Sequence, residues 1–190
     1  GDNPDYSKFA QRGNLSFENN LRPIKVSLDD FNMTINNYCL EKKDDLCDWA
    51  FLRRGNIKEK NLNDIRGALV DIEEANKRDR SWDLPYFYKA RILFNLGNFE
   101  EFNKAQIKAY RKLNYWYSFS LETCSKSYLK KPNNGMMYQE ELERCEIFTE
   151  LSFMRAKYYL KKGKYRKASR NINKALELKP NNEEFLELKS

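Results

Sequence analysis

The sequence predicts an all-α protein built from helical hairpins, on three observations. Only 7 Gly and 5 Pro occur in 190 residues, too few for a loop-rich β protein. Apolar residues recur at helical spacing, with small residues where two helices would approach closely. Two segments also superpose: Pro85-Tyr86-Phe87-Tyr88-Lys89-Ala90…Gly97-Asn98-Phe99 and Leu151-Ser152-Phe153-Met154-Arg155-Ala156…Gly163-Lys164-Tyr165. Ala90 to Ala156 spans 66 residues, as does Gly97 to Gly163, which is two periods of 33.

Hydrophobic residues make up 41% and aromatics 14% of the chain, so it can fold despite 33% charged residues. A chain of this size buries roughly 70% of its unfolded surface. The expected organisation is one helical-repeat domain over residues 1–190.

Taken in order, residues 1–47 form a divergent first unit, because Arg12-Gly13-Asn14 echoes Arg54-Gly55-Asn56 at a spacing of 42, with a longer connection through Pro23. Residues 48–82 carry Gly55, Ala68, Ile72 and Ala75. The interval from Gly55 to Ala68 is 13 residues against 12 in the later units, which predicts a turn one residue longer. Residues 83–114 keep Ala90, Leu93, Gly97, Phe99 and Ala109, with Phe102 at a position expected to be small. Residues 115–148 fit the repeat worst. The run Lys131-Pro132-Asn133-Asn134-Gly135 is a strong turn signal, and Met136 to Lys162 then contains no Gly or Pro, so one long helix is expected. The aromatic run Tyr115-Trp116-Tyr117-Ser118-Phe119 is read as core.

The last unit, 149–182, is the clearest. Ala156, Tyr159, Gly163, Tyr165, Ala168, Ile172, Ala175 and Pro180 follow the small, aromatic, turn, aromatic, small, bulky, small and terminating order of the tetratricopeptide repeat, which this segment resembles. Pro180 ends the second helix because its ring cannot continue the hydrogen-bond ladder. Residues 183–190, with Glu183-Glu184 before Phe185 and Leu186, read as a short capping helix or a truncated one.

The resemblance implies a right-handed α–α superhelix whose concave groove is lined by the first helix of each hairpin. Carried over position by position, it implies a peptide-binding groove of Trp49, Asn56, Phe87, Arg91, Asn95, Phe153, Lys157 and Lys161. Aromatic, amide and cationic groups of this kind suit an extended peptide bearing an acidic group. The carboxylate clamp of some family members is not expected. Phe87, Tyr88, Phe153 and Met154 stand where its polar residues belong, and Asn56 alone fits.

The 4 cysteines show no CxxC spacing and the chain has no His, so neither a structural zinc site nor any other metal site is expected. Cys39 and Cys47 straddle the polar stretch Glu41–Asp45, and Cys124 and Cys145 lie symmetrically about the Pro132–Gly135 turn. Antiparallel helices would bring each pair together, which predicts disulfides Cys39–Cys47 and Cys124–Cys145. Four buried thiols are the competing reading. Disulfides would imply an oxidising, extracytoplasmic location (periplasm, cell surface or secretion), and free thiols a cytoplasmic one. The chain starts Gly1-Asp2-Asn3-Pro4 without Met, so an upstream targeting segment is an open possibility.

The absence of His removes the commonest general base. There is no phosphate-binding Gly motif, and no carboxylate pair stands out from the acidic helix faces. The expectation is therefore a non-enzymatic protein-binding scaffold without a cofactor. No apolar run reaches the length of a membrane span. The net charge of +7 and the run Lys161-Lys162-Gly163-Lys164-Tyr165-Arg166-Lys167-Ala168-Ser169-Arg170 allow an alternative, nucleic-acid binding by the basic C-terminal face. That reading is the less favoured one, since the helix dipole alone accounts for Lys161 and Lys162.

Overall fold

A computed structural model describes residues 5–18, 23–41, 44–116, 124 and 136–189. Among them are nine α-helices and no strand: α1 (Tyr6–Glu18), α2 (Ile24–Asn37), α3 (Asp45–Asn61), α4 (Ile65–Arg78), α5 (Leu84–Asn95), α6 (Phe99–Trp116), α7 (Met136–Lys161), α8 (Tyr165–Leu178) and α9 (Glu183–Lys189). The side chains of 115–119 and the turn at 131–135 lie outside the described residues. The chain divides into two compact units, Gly1–Ile92 and Leu93–Ser190, with the division inside α5.

Helix starts follow from local chemistry. Asp44 accepts a hydrogen bond from the Cys47 amide at 3.1 Å, and Asp64 accepts one from the Gly67 amide at 2.9 Å, which satisfies first-turn donors of α3 and α4. Asn98 and Asn182 do the same for α6 and α9. The α5–α6 and α7–α8 turns close identically. Gly97 has φ +72° and Gly163 φ +66°, a left-handed conformation that costs glycine little. The amide of the next residue reaches back to a carbonyl of the preceding helix, Asn98 to Leu93 and Lys164 to Tyr159.

In the α3–α4 hairpin the left-handed residue is Asn63, at φ +52°. It stands 12 residues before Ala75, the interval that also separates Gly97 from Ala109 and Gly163 from Ala175. This corrects the sequence expectation for Gly55. That residue lies inside α3, where a Cβ would meet Ile72 at 3.1 Å and the Ala68 carbonyl oxygen at 3.2 Å. Its role is close packing, the role of Ala156, and the extra residue falls between Gly55 and Asn63.

One packing frame recurs within the units. In α1–α2, Gly13 faces Ser27, Asp30 and Phe31; in α3–α4, Gly55 faces Ala68, Asp71 and Ile72. The residue before each Gly is an Arg that reaches the acid opposite. Arg12 donates to Asp30 through Nε at 2.8 Å and also through Nη2, and Arg54 donates to Asp71 at 2.8 and 2.7 Å. In α7–α8 the frame is Arg155-Ala156 against Ala168, Asn171 and Ile172, and Arg155 Nε donates to Asn171 Oδ1 at 3.0 Å. Arg54 also donates to Asn32 on α2 at 3.0 Å, so one guanidinium holds three helices of the first unit. In the second unit Phe153, Ala156, Ile172, Ala175 and Phe185 form a core on which Leu176 and Leu188 pack.

All four cysteines are paired. Cys39–Cys47 joins the end of α2 to the start of α3, and Cys124–Cys145 ties Cys124 to α7, each with Cα atoms 5.4 Å apart. α7 runs unbroken over 26 residues, as its lack of Gly and Pro implies.

Candidate functional site

The eight residues expected to line a groove divide between the two units, four in each. In the first unit they are engaged internally. Phe87 is 1% exposed and belongs to the core, so its ring presents no contact surface. Arg91, 6% exposed, donates to both carboxylate oxygens of Glu59, through Nε at 2.9 Å and through Nη2. The same Nη2 donates to Asn56 Oδ1 at 3.1 Å, and the guanidinium lies 4.7 Å from the Tyr88 ring centroid. Asn56 is itself buried. Trp49, half-buried, meets Phe31 edge-on at 5.6 Å and carries the Arg53 guanidinium over its face. These side chains were expected to meet a partner, yet they hold α2, α3 and α5 against one another. The repeat resemblance supplied these positions, but it could not say that Glu59 and Phe31 occupy the groups on that face.

In the second unit Asn95, Phe153 and Lys157 come together. They line a cavity of about 390 Å³ between the end of α5, α7 and the α8–α9 connection. Phe94, Phe153, Met154 and Phe185 are its apolar lining, and the Phe153 and Phe185 rings pack tilted with centroids 4.6 Å apart. Lys157 Nζ donates to Glu184 at 2.6 Å and sits 4.2 Å from the Phe153 centroid, which fixes one wall of the opening. Lys161, the eighth expected residue, is exposed but lies outside this lining, its ammonium 4.2 Å from the Phe99 ring.

The cavity contains groups that reasoning from the repeat pattern missed. Glu146 and Glu150, both exposed, stand two turns and one turn before Phe153 on the same stripe of α7. Glu146 joins the site because α7 begins well before residue 149, whereas Glu150 lies within the repeat segment itself. The uninterrupted run from Met136 was the available signal. With Glu184 they place three carboxylates around the cavity against Lys157 and Lys179. The opening is thus mixed in charge, where the sequence alone emphasised cations. Among the described residues no group of three His, Cys, Asp or Glu side chains is arranged to hold a metal ion, and no helix is long and apolar enough to cross a membrane.

Elsewhere in the first unit, Asp48 is 7% exposed in the first turns of α3, and its Oδ1 has no hydrogen-bond partner. Burial pushes its carboxyl up to about 6. Arg78 opposes the shift, while Asp79, Asp45 and Asp44 add to it.

The family model described as the tetratricopeptide repeat matches residues 149–182, which take in the end of α7, all of α8 and the connection to α9. No characterised protein gives a sequence match to the chain.

Proposed function

From the premise that residues 149–182 are a tetratricopeptide repeat within an all-α chain of helical hairpins, we propose that the protein is a non-enzymatic protein–protein interaction scaffold. The observation that carries this reading is the α5/α7/α9 cavity, which combines an aromatic floor with a charged, mixed rim on the first helix of the matched repeat. A preformed cavity of this kind favours a partner segment with an apolar anchor. Phe94, Met154 and Phe185 would receive the anchor, and Asn95, Glu146, Glu150 and Lys157 would bond or pair with its flanks. Pre-organisation limits the entropic cost of binding, because Lys157 and Phe153 are already held in place.

Two disulfides in a chain of this size support an oxidising compartment, and hence action outside the cytoplasm. The groove reading now rests on the second-unit residues Asn95, Phe153 and Lys157, with Glu146 and Glu150 added. Trp49, Asn56, Phe87 and Arg91 serve the first unit's own packing.

The test is selection of peptides from a displayed random library against the full chain. Binders should weaken at least about tenfold on Lys157→Glu or Glu146→Lys, a loss on the order of 1.4 kcal/mol. They should be indifferent to Lys77→Glu on the exposed face of α4. Selected peptides insensitive to both cavity substitutions would refute the assignment.

A further inference from the structure

We propose that a second docking site exists on the second unit, away from the cavity above, and that it takes an acidic peptide segment carrying an aliphatic anchor. The site is a notch of about 160 Å³ between the end of α7, the start of α8 and the end of α9. Ala156, Leu160, Ala168, Ile172 and Leu188 make it apolar, and Tyr165 stands at its edge. These are surface positions in part. Leu160 is 41% exposed and Tyr165 70%, and Leu186 close by in sequence is 47% exposed. Leu160 and Tyr165 leave the mouth of the notch open above a floor of buried Ala156, Ala168 and Ile172, with room for one branched side chain.

Charge identifies the occupant. From Arg155 to Lys174 the chain carries nine cations and no acid. Three of the nine make side-chain hydrogen bonds, Arg155 with Asn171 and Gln106, Lys157 with Glu184, and Lys174 with Tyr110, while Lys161 and Lys167 lie over the Phe99 and Tyr159 rings. The other six, Lys161, Lys162, Lys164, Arg166, Lys167 and Arg170, are exposed, and among the described residues none is paired with a carboxylate. They alternate in sequence with the notch residues. Lys161 and Lys162 follow Leu160, Lys164 and Arg166 flank Tyr165, and Arg170 follows Ser169. Lys189 lines the notch itself, and the acid next to Leu188, Glu187, already has an interaction of its own. A partner rich in Asp and Glu would be drawn to this field, and one aliphatic side chain would fix its register.

A single-stranded nucleic acid would also meet the charge. The notch argues against it, because its lining is aliphatic and offers one exposed ring, whereas sequence-tolerant strand binding uses successive stacking platforms. A second copy of the chain lacks the charge complement, being +7 overall.

Fluorescence anisotropy of the full chain with a short labelled Asp/Glu peptide bearing one central Leu, at physiological salt, tests the proposal. Exchange of that Leu for Ser should weaken binding about tenfold or more. Leu160→Ser should weaken the Leu peptide to a similar extent, with little further loss when both changes are combined. Reversing Lys164 and Arg166 to Glu should abolish binding. The peptide-side exchange needs no variant protein, and far-UV circular dichroism checks that Leu160→Ser is folded.

The proposal is overturned if the Leu and Ser peptides bind alike, or if a single-stranded oligonucleotide of equal charge binds more tightly than the peptide. It is also overturned if sedimentation shows self-association that Leu160→Ser removes. Loss of peptide binding on Lys157→Glu, with Leu160→Ser inert, would place the peptide in the α5/α7/α9 cavity. The scaffold reading would then stand while the notch assignment falls.

Discussion

The α3–α4 and α7–α8 hairpins solve one packing problem with different chemistry. Each sets an Arg and a small residue on its first helix against a small, bulky and small stripe on its second, spaced by four and then three residues. In α3–α4 the Arg54 guanidinium meets a carboxylate, Asp71, which is 1% exposed and also accepts an ion pair from Lys58 at 2.8 Å. In α7–α8 Arg155 meets the neutral amide of Asn171, the carbonyl oxygen of Gln106 on α6, and the Tyr110 and Tyr159 rings at 4.6 and 5.7 Å. Burial lowers the Arg155 pKa, and the two tyrosines oppose that shift. The same planar cation, with its several donors, is thus met by a carboxylate in one hairpin and by amides and rings in the other. The same slot holds the second helix by ion pairing in one unit and by hydrogen bonds and ring faces in the other.

The largest loss should follow a change at Asp71. Asp71→Asn leaves two buried or half-buried cations without their anion and should cost about 3–5 kcal/mol. Amide hydrogen exchange should show the loss concentrated in α3 and α4. Asn171→Ala removes the acceptor for Arg155 Nε and the amide donor to the Lys167 carbonyl but leaves no ion without its counter-ion, and should cost about 2 kcal/mol, read in α7 and α8. Equal losses at the two sites would mean that the ion pair adds nothing beyond the shared geometry.

Removing the Cys39–Cys47 bridge by paired Cys→Ser substitution should lower stability of the first unit by about 2.5 kcal/mol, the value for so short a loop. Urea unfolding followed at Trp49 would measure it. The second unit's exchange should be unchanged.

Asp48 gives the first unit a pH dependence of its own. Its folded-state carboxyl titrates near 6, above the ordinary 3.8. The folded state therefore holds a proton that the unfolded chain releases, and the contribution is full below about pH 4 and lost as pH rises through 6. Asp48→Asn, which stays neutral, should match the wild type at pH 4 and exceed it by about 1–2 kcal/mol at pH 7.5. A constant difference across that range would refute the titration.

The smallest effect should come from Asn171→Asp, which converts the second hairpin to the chemistry of the first. A carboxylate beside Arg155 should add about 0.5–1 kcal/mol at neutral pH. The gain should vanish when the pH falls below the carboxylate range.

Much of the fold was legible because its strongest signals are local. The stripe Ala168, Ile172 and Ala175 with Gly163 before it and Pro180 after it defines the last hairpin almost alone. The cysteines were legible because each pair brackets a polar or turn-forming stretch. Gly55 was misplaced for a physical reason. A small residue needed for helix contact and a small residue needed for positive φ look alike in a sequence, and the true turn residue, Asn63, is one of the few non-Gly types that adopts that conformation. The candidate site was half legible. The positions carried over from the repeat resemblance include Asn95, Phe153 and Lys157, which line one cavity, but the Arg91–Glu59 pairing that closes the first-unit face joins residues 32 apart, beyond the reach of any local pattern.

The Cys39–Cys47 bridge also bears on how the molecule would survive cutting. The chain between them contains Lys42 and Lys43, adjacent targets for a protease that cleaves after cations. A nick there would open the backbone between the first and second hairpins, yet Cys39 and Cys47 would keep both pieces in one covalent body. The damaged protein would run as a single band without reductant and as two bands with it. In an environment rich in proteases, the connection would fail only where thiols are also present.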